Sequence, residues 1–267
     1  MTNILMAAQN ASSARTPVLW RKALKKLEID AVIEVRDIKC QSPIDLRNEI
    51  NHGEYQAVIL GHPNKLYATA LVAHTNVKSE KSGLNLMLLR KNLWEGFNFD
   101  GIAFYLSLYE EFASLIDKSV FLFLGTGSTA NSCSTEIMAQ KGKSSIHLLP
   151  RSKFDSSIDE IFLSLGFSNK ENLHESFIVI NCTPMGKADY QIPKNIKTLL
   201  EILNPELFYD VNYYLTDQSY WRELTQLKMV RDGKKMNLIQ AALGFHQVFL
   251  QEVMSPEETL KFFQGLN

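Results

Sequence analysis

The apolar run Val120-Phe121-Leu122-Phe123-Leu124 ends directly in Gly125-Thr126-Gly127-Ser128-Thr129-Ala130, and no other junction constrains the fold as much. An unbroken apolar run closed by glycine reads as a parallel strand buried on both faces. The small residues after it have separate tasks. Gly125 permits a tight turn, Gly127 lets the backbone approach a pyrophosphate, and Ala130 allows a helix, Ala130–Lys141, to pack closely on the strand. The start of that helix offers free N–H groups and the positive end of its dipole to phosphate, with Ser128 and Thr129 alongside. A GxGxxA pattern by itself is weak. Here it gains context from the strand before it, the helix after it, and a second strand, Ser145–Leu149, at the expected distance.

The end of that second strand bears on the cofactor. An NAD site places a carboxylate there to hold the ribose diol. This chain instead runs Leu149-Pro150-Arg151-Ser152-Lys153. Two cations and a hydroxyl suit a 2′-phosphate, and Arg also stacks on an adenine face, so the expected cofactor is NADP. A third apolar strand, Phe177–Ile180, ends in Asn181-Cys182-Thr183-Pro184-Met185-Gly186. Small and polar residues at the carboxyl edge of the sheet mark where ribose and nicotinamide would lie, and Thr183 is the contact residue expected there.

Upstream, apolar runs alternate with amphipathic ones in an α/β pattern. Ile4–Ala8, Ala31–Arg36 and Ala57–Leu60 read as strands. Pro17–Leu27 and Pro43–Ile50 read as helices. Leu84–Arg90 fits strand or helix by period alone. The Lys91-Asn92 that follows it, and then Trp94-Glu95-Gly96-Phe97, favour a β-hairpin. A helix runs from about Gly101 to Ile116. The last stretch, Leu238–Phe263, reads as helix broken near Ser255-Pro256. A boundary near Tyr105 separates a small α/β domain from the nucleotide domain.

Composition excludes several classes. The 267 residues carry a formal net charge of −1, so no global field draws the chain to nucleic acid or an anionic membrane. Three cysteines, Cys40, Cys133 and Cys182, are odd in number and widely spaced, which argues against a disulfide framework. The His residues form no pair at ligand spacing, so no metal is expected. Met1 to Ala8 lacks a basic flank and is too short to span a bilayer. A cytoplasmic location is the default.

Several spaced features together resemble the shikimate/quinate dehydrogenase family. The glycine turn Gly125–Ala130 is one. Pro150-Arg151-Ser152 is similar to the family's segment for the NADP 2′-phosphate, and Asn181 to Gly186 to its Asn-x-Thr-Pro-x-Gly turn. Tyr209-Asp210-Val211-Asn212-Tyr213 and the segment from Asp232-Gly233 through Met236 to Gln240 match two more motifs. The resemblance implies roles in the first domain. Ile59 to Lys65 corresponds to the loop of the catalytic Lys, retained as Lys65. Gly96 to Gly101 corresponds to the segment of the catalytic Asp, retained as Asp100. Asn85 matches an Asn that binds a substrate hydroxyl, Gln240 and Tyr213 match substrate contacts, and Gly233 falls at the cofactor.

The chemistry agrees with those assignments. Reducing a ketone by hydride needs a proton donor at the developing alkoxide, and Lys can serve. A neighbouring carboxylate fixes the ammonium and shares the relay. Departures fall on the substrate side. The family's Ser-x-Ser-Pro, which holds the substrate carboxylate, becomes Ala14-Arg15-Thr16-Pro17. One hydroxyl is lost and the other becomes Thr16. The Thr ahead of the loop proline becomes Gly61, the Thr before the catalytic Asp becomes Phe99, and the Pro after Tyr213 is replaced near Leu215. Arg15 either pairs with a carboxylate in compensation or is a solvated loop cation.

The expected architecture is therefore α/β. A small N-terminal α/β substrate domain, residues 1–104 with the C-terminal helix 238–267, joins a Rossmann-like NADP-binding domain, residues 105–237, with a cleft between them. The expected activity is NADP-dependent, reversible reduction of 3-dehydroshikimate to shikimate. Quinate or another cyclic hydroxy acid as substrate, or a catalytically silent nucleotide-binding relative, are the alternatives. The expected ligand is a small cyclic polyol carboxylate. No nucleic acid or membrane partner is expected, and the chain works as a monomer or homodimer.

Overall fold

The computed structural model describes residues 1–77, 80–141, 146–167, 176–185, 191–213 and 227–266. They form two compact units, Met1–Ala103 with Asn237–Asn267, and Phe104–Met236.

The first unit is built on a six-stranded sheet of order β2-β1-β3-β5-β6-β4. Its strands are β1 (Thr2–Ala8), β2 (Ala31–Asp37), β3 (Ala57–Leu60), β4 (His74–Thr75), β5 (Leu86–Arg90) and β6 (Leu93–Phe97). β1 pairs in parallel with both β2 and β3, and β3, β5 and β6 pair antiparallel. β1 pairs along both edges, with β2 and β3, and its two faces enter different cores. Ile4, Met6 and Ala8 enter one core, and Leu5 and Ala7 enter the other. That burial explains an apolar run without polar alternation. The β5–β6 connection is a two-residue turn at Lys91 and Asn92 with φ of 49° and 62°, the left-handed pair that matches the twist of a hairpin.

Helix α1 (Arg15–Lys26) buries Thr16, Leu19, Trp20, Ala23 and Leu24 on one stripe. It begins two residues ahead of the expected Pro17, which sits inside the first turn. α2 (Pro43–Asn51) starts behind Ser42, whose side chain accepts from Asp45 N–H. A short α3 (Asn64–Tyr67) follows β3, and α4 (Asp100–Ile116) follows β6. Trp20 donates its indole N–H to Ala241 O at 2.9 Å and meets Phe245 edge-on, so the C-terminal residues complete this core.

The second unit has a five-stranded, all-parallel sheet of order β11-β10-β9-β7-β8. Its strands are β7 (Ser119–Leu124), β8 (Ile146–Leu149), β9 (Ser176–Asn181), β10 (Leu207–Asp210) and β11 (Val230–Asp232). Helices α5 (Ser128–Lys141), α6 (Ile158–Ser164) and α7 (Lys194–Leu203) belong to it. Every residue of β7 is buried. The chain order puts β8 on one side of β7 and β9 on the other, so the strand order reverses at β7. Ligands of open α/β sheets bind at such a switch point, beyond the carboxyl ends of the strands.

Two further sequence expectations shift. α5 begins at Ser128 rather than Ala130, which places both hydroxyls in its first turn. The expected helix Leu238–Phe263 is instead α8 (Lys234–Phe245), a π-helical stretch His246–Leu250, and α9 (Pro256–Gln264). The break is set where the sequence placed it, by a capping box between Ser255 and Glu258. Ser145, Gly186 and Leu215 lie outside the described residues.

Candidate active site

In the first unit, strand pairing brings three polar residues from separate segments together. Leu60 N–H donates to Asn85 O at 2.9 Å, and Asn85 N–H donates to Phe97 O at 2.9 Å. The ends of β3 and β6 are thereby tied to the residue just before β5. Lys65, on α3, places Nζ 2.6 Å from Asp100 Oδ2. Asn85 donates from Nδ2 to the other oxygen, Oδ1, at 2.9 Å. Asp100 and Asn85 are 2% exposed and the Lys65 side chain 16%. The carboxylate therefore lies inside, while the lysine side chain is partly exposed.

Two asparagines outside the sequence assignments, Asn64 and Asn98, shape this cluster together with Asn85. Asn64 is fully buried, accepts from Cys40 N–H and donates to Ile38 O, pinning the turn that carries Lys65. Asn98 donates to Ser82 O and Gly83 O and accepts from Asp100 N–H at 2.8 Å, fixing the start of α4. Asn85 Oδ1 accepts from Phe99 N–H at 3.2 Å. Asn85 thus spends its oxygen and one N–H inside the protein.

In the second unit the glycine turn has the geometry its residues imply. Gly125 lies at φ +105°, where a Cβ would meet Thr183 Cγ2 at 2.8 Å, so both backbone and space require glycine. A Cβ at Gly127 would meet nothing within 4 Å. The open space beside Gly127 and the first turn of α5 fit an approaching phosphate. Asn131 donates to Thr126 O at 2.7 Å and Gly127 O at 2.9 Å, holding the turn against its own helix. After β8, Arg151, Ser152 and Lys153 form one exposed helical turn. Thr183 is 4% exposed and folds back on Asn181, with its N–H and hydroxyl both reaching Asn181 Oδ1. Beneath it lies a buried network that the sequence did not signal: Asp210 Oδ1 accepts from Asn181 Nδ2 and from Asn212 N–H and Nδ2. Gly233 packs so closely that a Cβ would fall 2.1 Å from Val211 O. Its place is thus explained by backbone contact. Tyr213 is half-buried just after β10.

No family model matches the chain. Among curated proteins, a Staphylococcus aureus shikimate dehydrogenase (NADP(+)) is 25% identical over 182 residues, 66% of this chain and 66% of that protein's length. Among solved structures, shikimate dehydrogenase 1 from Peptoclostridium difficile covers 100% of this chain and 98% of its own, with TM-score 0.74 and 19% identity. A Thermus thermophilus shikimate 5-dehydrogenase, crystallised with NADP(H) and shikimate, covers 100% of both chains with TM-score 0.74 and 18% identity. The chain is similar in sequence to shikimate dehydrogenases over 182 residues. It shares the α/β fold of those enzymes over its whole length.

The departures within this relationship have local causes. At Gly61 a Cβ would lie 2.5 Å from Ala8 Cβ, so no threonine fits without moving β1. Phe99 stacks on Phe97 with ring centroids 6.0 Å apart, and its bond to Asn85 uses only the backbone. Ala14 is buried and gives the start of α1 no side-chain cap. Thr16 is buried in the first turn of α1, and Arg15 beside it is half-buried. Gln240 is half-buried on α8. Among the described residues no group of three or more His, Cys, Asp or Glu could hold a metal ion, and no helix is long and apolar enough to cross a membrane.

Proposed function

We propose that this chain is an NADP-dependent oxidoreductase that interconverts 3-dehydroshikimate and shikimate. The observation that carries the proposal is the Lys65–Asp100 pair, 2.6 Å apart, anchored by Asn85 and pinned from both sides by Asn64 and Asn98. An ammonium held at one point by a buried carboxylate is a preorganised donor for an alkoxide forming beside it. Lys65 gives its proton to the carbonyl oxygen as that oxygen gains charge. Asp100 keeps the ammonium in place and shares the relay. Asn85 orients the carboxylate and offers its remaining N–H to a substrate hydroxyl, and Gln240 and Tyr213 are further contacts.

The dinucleotide belongs to the turn Gly125–Ala130. Gly127 and the first turn of α5, with Ser128 and Thr129, take the pyrophosphate. Arg151, Ser152 and Lys153 take the 2′-phosphate, and Thr183 and Gly233 border the nicotinamide end. NADPH supplies the hydride. The fit rests on the open space at Gly127 and on a strand end with two cations and no carboxylate. In this reading the chain acts on a small molecule in the cytoplasm, as monomer or homodimer.

Ala14 favours a second reading, in which quinate or another cyclic hydroxy acid is the substrate. A site that has lost one of two hydroxyls facing a carboxylate discriminates differently among polar acids. The experiment is NADP reduction with shikimate and with quinate. Turnover on shikimate supports the first reading, and turnover on quinate alone supports the second. NADP binding without turnover on any cyclic hydroxy acid refutes both.

A further inference from the structure

Asn237 lies near the start of α8, one turn before Gln240, and is 4% exposed. Its surroundings are apolar: Leu238, Ala241, Ala242 and Phe245 enter one core. Its Nδ2 reaches Thr16 Oγ1 at 3.4 Å, and its Oδ1 is buried with no partner. The arrangement costs stability, because the oxygen has given up water and receives nothing in return. An apolar side chain of similar size would avoid that cost. The amide nevertheless does one thing an apolar residue could not. By donating to Thr16 Oγ1 it occupies one of that hydroxyl's two lone pairs. Among the described residues no acceptor takes the hydroxyl's own proton.

We infer that Asn237 is a positioning residue for substrate binding, which commits the Thr16 hydroxyl to donate toward the substrate carboxylate. The inference rests on the reading of Ala14–Thr16 as the carboxylate-holding loop. With Ala14 offering no hydroxyl, Thr16 is the one side-chain hydroxyl left in that loop, and its polarity carries more weight. A hydroxyl free to rotate spends part of its time with its lone pairs toward the anion. Holding one lone pair reduces those orientations before the ligand arrives. The unpaired Oδ1 is then a loss of stability accepted for function.

The test is a double-mutant cycle on the full chain with N237L, T16V and the double variant. It is read by steady-state kinetics with shikimate or quinate, whichever the wild type turns over, and by thermal unfolding. T16V is expected to raise KM about tenfold, the loss of one hydrogen bond to a charged group, and N237L about threefold, because the hydroxyl is kept but is no longer held to one of its three staggered orientations. The effect falls on KM rather than kcat. N237L is expected to unfold at the wild-type temperature or higher, which a merely structural role would not produce. The double variant is expected to bind no worse than T16V, because Asn237 acts through Thr16. N237D, which accepts from Thr16 and repels an anion, is expected to raise KM further than N237L. An unchanged KM in N237L overturns the inference, as do additive effects in the double variant or a wild-type KM in N237D. A wild type without turnover on either acid overturns the functional reading and this inference with it. A wild type that turns over while N237L binds normally overturns this inference alone.

Discussion

Replacing Asp100 by asparagine tests the arrangement of the catalytic pair at nearly constant shape. The carboxylate accepts from two different donors, Lys65 Nζ on Oδ2 and Asn85 Nδ2 on Oδ1. An amide offers one accepting oxygen and one donating NH2. In Asp100→Asn the NH2 must therefore face either the Lys65 ammonium or the Asn85 amide, and one donor loses its acceptor. Asp100 and Asn85 are nearly inaccessible, so water cannot replace the lost partner at Asn85. An orphaned buried group costs about 1–3 kcal/mol, and the charge-assisted bond to Lys65 is roughly twice as strong as a neutral one. The Lys65 side chain is partly exposed, which discounts the loss on its side. The expected fall in unfolding free energy is about 2–4 kcal/mol. Turnover is expected to fall about 10²–10⁴-fold, the usual contribution of a positioned acid–base group. NADP affinity is expected to hold, since the glycine turn belongs to the other unit. Urea unfolding, NADP titration and steady-state NADP reduction measure the three effects. Wild-type stability with wild-type turnover in D100N would refute the reasoning.

Arg151→Ala is expected to raise KM for NADP about tenfold and leave KM for NAD unchanged, as one cation leaves the 2′-phosphate; an unaltered preference between the two cofactors contradicts the assignment. Gly233→Ala sets a methyl group against the Val211 carbonyl. Its expected cost is about 1–3 kcal/mol in a urea melt, as for other overpacked sites, and a fully stable variant would show that this backbone can move. The hydrogen bond from Lys235, aided by Arg231, holds the Glu111 carboxyl below its ordinary value. A lowered folded-state value adds stability above the unfolded value of about 4.3, and that stability is lost as pH falls through the folded value. Glu111→Gln is therefore expected to lower the thermal midpoint at neutral pH and converge on wild type once the pH has fallen below the folded-state value and the wild-type carboxyl is protonated. A deficit that persists there would mean the loss is one of packing.

The sequence made some features readable because they repeat or because they forbid side chains. β1 and β7 announced themselves as unbroken apolar runs, since each is covered on both faces. The turn after β7 was readable because φ at Gly125 and the space beside it exclude other residues. Lys65 and Asp100 gave no signal alone. Only their place in two matching loops singled them out, and pairing among β3, β5 and β6 sets them 2.6 Å apart. The supporting asparagines were unreadable for a physical reason. Asn64, Asn98, Asn181 and Asn237 act through side-chain bonds to distant segments, and such bonds leave no period in the chain. Asn237 and Thr16 are 221 residues apart. The π-helical stretch His246–Leu250 contains no Gly or Pro to mark it, so the sequence reading ran the helix through it to the break near Ser255-Pro256.

The most direct test of the central claim is the rate of NADP reduction by wild type and Lys65→Ala, with shikimate and with quinate, alongside NADP binding to both proteins. The account predicts turnover by the wild type on at least one of the two acids. It also predicts a loss of about 10²–10⁴-fold in kcat for Lys65→Ala, with NADP bound equally well by the two. Equal turnover by the two proteins, or tight NADP binding by a wild type that turns over neither acid, would contradict it.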